Sequence, residues 1–179
     1  MWLKYLVITL LFYFFAILQN SFLIHFNVFG ITPNFILIFY FLLLYFSPYG
    51  GPALGWENSF YAIIAGFFLD VFLHSYFGVS IISLLITMFL VKKALQLLWN
   101  RGDEHTLLYF IPLFAVYLVI YDAFLNIILF FSSPSFVNFN ANWTFIITLV
   151  YNMAFALLGF YICKKFNLFK DLDRQLKLF

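Results

Sequence analysis

The sequence predicts an all-α integral membrane protein, a bundle of six transmembrane helices. Three observations carry this reading. The 179 residues are 66% hydrophobic and only 9% charged, six apolar runs are bounded by polar or helix-breaking residues, and all nine basic residues fall on one side of the resulting topology. A soluble domain carries about 25% charged residues because water must solvate its surface, so a soluble fold is excluded. An aromatic share of 25%, with 29 Phe and 12 Tyr, suits a lipid-facing surface with interfacial anchors. The formal charge of +2 is too small to point to nucleic acid, and the single cysteine, Cys163, excludes an internal disulfide and a Cys-rich metal site.

The hydrocarbon core is about 30 Å thick, so a spanning helix needs about 20 apolar residues. The segment from Met1 to Asn20 resembles a signal peptide, with Lys4 before a long apolar run. No small-residue cleavage site follows Leu18-Gln19-Asn20-Ser21, which makes it an uncleaved first span from Tyr5 to Leu23. The second span runs from Pro33 to Phe46, with Thr32 as N-cap and Pro33 at the first helical position. Pro48, Gly50, Gly51, Pro52 and Gly55 then break the chain before the third span, Trp56 to Leu73. The fourth runs from Val79 to Trp99 and the fifth from Leu107 to Phe131. A neutral loop from Ser132 to Asn142 leads to the sixth, Trp143 to Cys163.

Basic residues near spans are retained in the cytoplasm. With the N-terminus inside, Lys4, Lys92, Lys93, Arg101, Lys164, Lys165, Lys170, Arg174 and Lys177 are all cytoplasmic. One missed span would break this agreement, so it predicts both the count and an inner-membrane protein with both termini cytoplasmic. Residues 1–163 then form the transmembrane domain. The tail over 164–179 spaces Lys165, Phe169, Leu172, Leu176 and Phe179 as an amphipathic helix that can lie on the membrane lipid.

An ionisable side chain at membrane depth costs several kcal/mol unless it finds partners. Asp70 and Asp122 fall in the outer half, with Gln19, Asn20 and His74 at that level, and no Lys or Arg stands on the outer side to neutralise either Asp. Asp70 precedes a short turn into the fourth span, where free N–H groups near Val79 and Ser80 would attract a carboxylate. The alternative for Asp70 is a ligand or proton site. Asp122 shares a face with Asn126, one turn on, and either Asn126 or Asn152 could form a hydrogen-bonded pair with it; the alternative is again a functional site. Ala62 with Gly66, and Gly159 with Cys163, have the small-residue spacing of close helix packing in lipid. The three histidines, His25, His74 and His105, lie in different segments, with His105 on the opposite side from the other two, which argues against a metal site. No phosphate loop, nucleophile elbow or zinc motif is present, so neither a catalytic site nor a cofactor is predicted.

Three motifs carry a family resemblance: Leu18-Gln19-Asn20-Ser21 closing the first span, Gly30-Ile31-Thr32-Pro33-Asn34 opening the second, and Gly66-Phe67-Phe68-Leu69-Asp70 followed by Phe77-Gly78. Their order and spacing resembles the bacterial rod shape-determining protein MreD family. Asn20 intervenes before the Ser, and Asn34 stands where Asp is frequent in that family. The resemblance implies a non-enzymatic scaffold of the cell-elongation machinery that makes peptidoglycan. Its implied partners are a periplasmic MreC-like protein, MreB, RodA and a penicillin-binding protein. It also implies a fold similar to the substrate-binding subunits of energy-coupling-factor transporters, which supplies an alternative function, uptake of a small molecule such as a vitamin. Transporter subunits of that class dock through an Ala-x-x-x-Ala pattern in the first helix, where this chain has only Ala16. The candidate structural or partner-binding residues are therefore Gln19, Asn20, Pro33, Asn34, Gly66, Asp70, Gly78, Asp122 and Asn126.

Overall fold

The computed structural model describes residues 2–22, 25, 27, 30–46, 53–72, 76–99, 106–132 and 143–166. They form six α-helices: α1 (Trp2–Ser21), α2 (Phe35–Phe46), α3 (Ala53–Phe72), α4 (Val79–Trp99), α5 (Leu107–Ser132) and α6 (Trp143–Phe166). Four contain stretches long and apolar enough to cross a membrane: Leu3–Ser21, Val79–Leu97, Leu107–Phe131 and Trp143–Phe166. The other two depart from that pattern for different reasons. In α3, Glu57, Asn58 and Asp70 dilute an otherwise apolar 20-residue helix. The 12 residues of α2 rise only about 18 Å, well short of the hydrocarbon thickness.

Helix α2 starts two residues later than its proline suggests. Asn34, not Thr32, is the N-cap: its Oδ1 accepts the Leu37 N–H at 3.1 Å and its carbonyl accepts the Ile38 N–H at 3.1 Å. Asn outranks Thr at this position, and Pro33 remains in the non-helical lead-in. Helix α6 continues three residues past Cys163. The predicted amphipathic tail beyond it, and His74 and His105, lie outside the described residues.

Short as it is, α2 is the centre of the bundle. Ile36, Leu37, Ile38 and every residue from Tyr40 to Tyr45 are buried, because all five other helices pack on it. Around α2 the sequence of neighbours is α1, α3, α4, α5 and α6. α1 and α6 barely touch, and the seam between them is filled by rings. Phe39 lies 4.9 Å from Phe15, and Phe35 lies 5.1 Å from Phe155.

Polar contacts fix the up-down order. Lys4 pairs with Glu57 at 3.1 Å, joining the starts of α1 and α3. The Tyr45 hydroxyl donates to the Thr106 carbonyl at 3.0 Å, joining the end of α2 to the start of α5, and Phe110 meets Phe160 of α6 at 4.6 Å. All described basic residues, Lys4, Lys92, Lys93, Lys164 and Lys165, therefore lie toward one end of the bundle, the basic end.

A close backbone approach joins α3 to α4. Ala62 and Ala65 are fully buried, and a Cβ on Gly66 would stand 2.5 Å from the Ile81 Cα and 2.8 Å from its N. Opposite them, Ser83 and Thr87 turn their hydroxyls back to the Val79 and Ser83 carbonyls, at 2.8 and 2.7 Å. Small residues with internally satisfied hydroxyls let two helices approach in lipid, where no hydrophobic drive holds them together. At Gly159 the obstacle is instead the Leu42 Cδ1, at 2.7 Å, and a side-chain end can rotate away. Gly66→Ala is thus expected to destabilise the detergent-solubilised protein by about 1–3 kcal/mol, the range for overpacking, and Gly159→Ala by less. Thermal unfolding of the two variants checks the order; a milder effect at Gly66 contradicts it.

Candidate functional site

At the end opposite the basic residues, buried side chains of neighbouring helices meet the starts of two helices. The first N–H groups of any helix lack intrahelical acceptors. In water they are solvated, but inside a membrane each unsatisfied group costs several kcal/mol. The polar residues of this half of the protein meet that demand.

Helix α4 is served by Asp70. The carboxylate, 3% exposed, accepts the Gly78 N–H at 2.7 Å through Oδ2 and the Ser80 N–H at 2.9 Å through Oδ1. Charge adds to the hydrogen bonds, because the start of a helix carries partial positive charge. Gly78 has a φ of +96°, a left-handed conformation that glycine adopts without penalty, and its carbonyl accepts the first helical bond from Ile82 at 3.0 Å. The turn from α3 to α4 is thus closed by one acid and one glycine.

Helix α2 is served from three directions. Beside the self-cap of Asn34, Gln19 of α1 accepts the Phe35 N–H at 3.2 Å, and Asn152 of α6 accepts the Asn34 N–H at 2.7 Å. Gln19 and Asn152 are both buried. The Asn152 amide donates in turn to the Thr148 carbonyl at 2.8 Å, which orients its oxygen. The start of α2 is held at depth: Asn152 lies nine residues into α6, about 13 Å along the helix. Pro33, which has no N–H, is buried just before this cap.

The other residues singled out from the sequence take different places. Asn20 is exposed and donates back to the Ala16 carbonyl at 2.9 Å. Asn126 donates to the backbone carbonyl of Asp122 at 2.8 Å, and Asn152 is committed to α2. Neither forms the expected side-chain pair with Asp122, because a helical asparagine four residues on finds the carbonyl of its own helix first. Asp122 instead lines a cavity of about 210 Å³, shared with Gln19, Thr32, Asn34, Tyr121, Thr148 and Asn152. The cavity lies over the start of α2, between the far halves of α5 and α6.

Sequence reasoning did not foresee Asn152 as a cap, since its partner lies 118 residues away. Nor did it foresee the Lys4–Glu57 pair, which helical counting along single spans does not reveal.

A helical bundle with four apolar spans of membrane length, whose polar side chains close helix starts against one another, has the make-up of an integral-membrane protein. The family model of the rod shape-determining protein MreD matches residues 2–166, and the chain belongs to that family. Its part is in rod shape determination. Among curated proteins and among solved structures nothing matches the chain.

Asp70→Leu leaves the Gly78 and Ser80 N–H groups buried without an acceptor, at about 1–3 kcal/mol each. Asp70→Asn retains one acceptor oxygen. In denaturant or thermal unfolding in detergent, Leu should therefore destabilise the protein far more than Asn; equal tolerance of both contradicts the capping role.

Proposed function

We propose that the protein is a non-enzymatic scaffold of the cell-elongation machinery, a bundle in the inner membrane on which a periplasmic MreC-like partner docks. The observation that carries this is the family match across 2–166, read together with the chemistry of the buried polar groups. Asp70, Gln19, Asn34 and Asn152 are engaged in closing helix starts. They organise a rigid shape, which is what a docking platform requires.

In this reading all six helices lie within the bilayer, with α2 drawn in by its neighbours rather than spanning alone. The basic end is cytoplasmic, in keeping with retention of Lys and Arg on that side, and both termini are there. The far end then faces the periplasm, where an MreC-like protein would meet it, while MreB filaments lie on the basic side. RodA and a penicillin-binding protein complete the assembly through the membrane. A small-molecule uptake role fits less well. The cavity of about 210 Å³ is below the roughly 300–1,000 Å³ of ligand pockets.

Depletion of the protein in its native host, followed by microscopy, tests the reading. Rod cells should round up and incorporate peptidoglycan over the whole surface. Unchanged shape accompanied by loss of uptake of a nutrient would instead establish the transport role.

A further inference from the structure

The cavity between α5 and α6 contains a carboxyl group with no cationic partner among the described residues. Asp122 projects into it from α5, and its carboxylate receives no hydrogen bond from the described residues. Both neighbouring asparagines are committed elsewhere. The described lysines sit toward the opposite end of the bundle, and the remaining basic residues, Arg101, Lys170, Arg174 and Lys177, follow the basic ends of α4 and α6 in sequence. A second polar group of the cavity is also unsatisfied. Tyr121, which also lines the cavity, is 2% exposed, and its hydroxyl has no hydrogen-bond partner among the described residues.

The position selects among cations. Asp122 stands ten residues before the far end of α5, about 15 Å along the helix, deeper than a lipid ammonium held at the interface. The volume of about 210 Å³ is far more than a single bare ion fills. A side chain brought in at the same depth by another membrane helix meets both conditions. Such a helix has a reciprocal need, because its own Lys or Arg is costly in the membrane without a counter-charge. A route for it exists. α5 and α6 are joined at Phe110 and Phe160, near the basic end, and enclose the cavity in their other halves. There Leu118 and Leu125 of α5 and Phe145 and Leu149 of α6 give the recess apolar walls beside its polar groups.

We propose that this recess is a partner site: a membrane helix of the docked protein lies along the far halves of α5 and α6 and places a Lys or Arg side chain against Asp122. This rests on the scaffold reading above and names the contact through which docking occurs.

The test uses the full-length chain co-expressed with the MreC-like membrane protein of the same organism, with affinity measured between the two purified in detergent. Asp122→Asn should weaken binding by more than about tenfold, since loss of one partner of a buried charge pair is expensive, and Asp122→Lys should abolish it. Replacing a Lys or Arg in the partner's membrane helix by Asp should restore binding to Asp122→Lys. The free Asp122→Asn protein should melt at or above the wild-type temperature, because an unpaired charge has been removed. Wild-type affinity in both Asp122 variants, or a fall in binding that merely follows a fall in melting temperature, overturns the site while leaving the scaffold reading intact. Failure of the wild-type chain to bind at all overturns both.

Discussion

A helix that begins away from water needs something to receive its first N–H groups, and in this protein two helices begin against buried polar side chains. The start of α2 is received by Gln19, Asn34 and Asn152, and that of α4 by Asp70. Because α2 touches every other helix, its closure also ties α1 and α6 together, two helices that otherwise hardly meet. Four side chains thus replace the water that would solvate the same groups in a soluble fold.

The shortness of α2 follows from the same arrangement and has a consequence for function. With its other end fixed near Thr106 by the Tyr45 hydroxyl, a rise of about 18 Å leaves its first turn well short of the far ends of the longer helices around it. The space above that turn is the recess lined by α1, α2, α5 and α6. On the scaffold reading proposed above, the bundle with this polar depression is the surface that others read. The close approach of α3 and α4 at Gly66 stiffens the opposite flank, leaving the α5–α6 side as the more open one.

What the sequence disclosed depended on how local each cause was. Hydropathy and the breakers located all six helices, and the starts of α4, α5 and α6 are the predicted ones. Asp70 was legible as a cap because its acceptor role is completed within ten residues, in a turn containing Gly78. Two of the caps of α2 were hidden because they come from residues 16 and 118 positions away, and hydrophobic periodicity carries no record of such pairs. The start of α2 was misplaced because proline at a helix start is a common signal, whereas here the asparagine after it found a better capping geometry. Asp122 was assigned neighbours on the right face but the wrong bonds: its asparagine one turn on satisfies a backbone carbonyl, a choice that spacing alone does not reveal.

If the interhelical closure of α2 holds the bundle together, the backbone amides of Asn34 and Phe35 should exchange with solvent as slowly as those in the middle of the helix. Hydrogen exchange on the protein in lipid nanodiscs measures this directly. The account predicts strong protection of both amides, with Asn152→Ala releasing Asn34 and Gln19→Ala releasing Phe35. Rapid exchange of both in the wild-type protein, at the rate of an exposed loop, would contradict it.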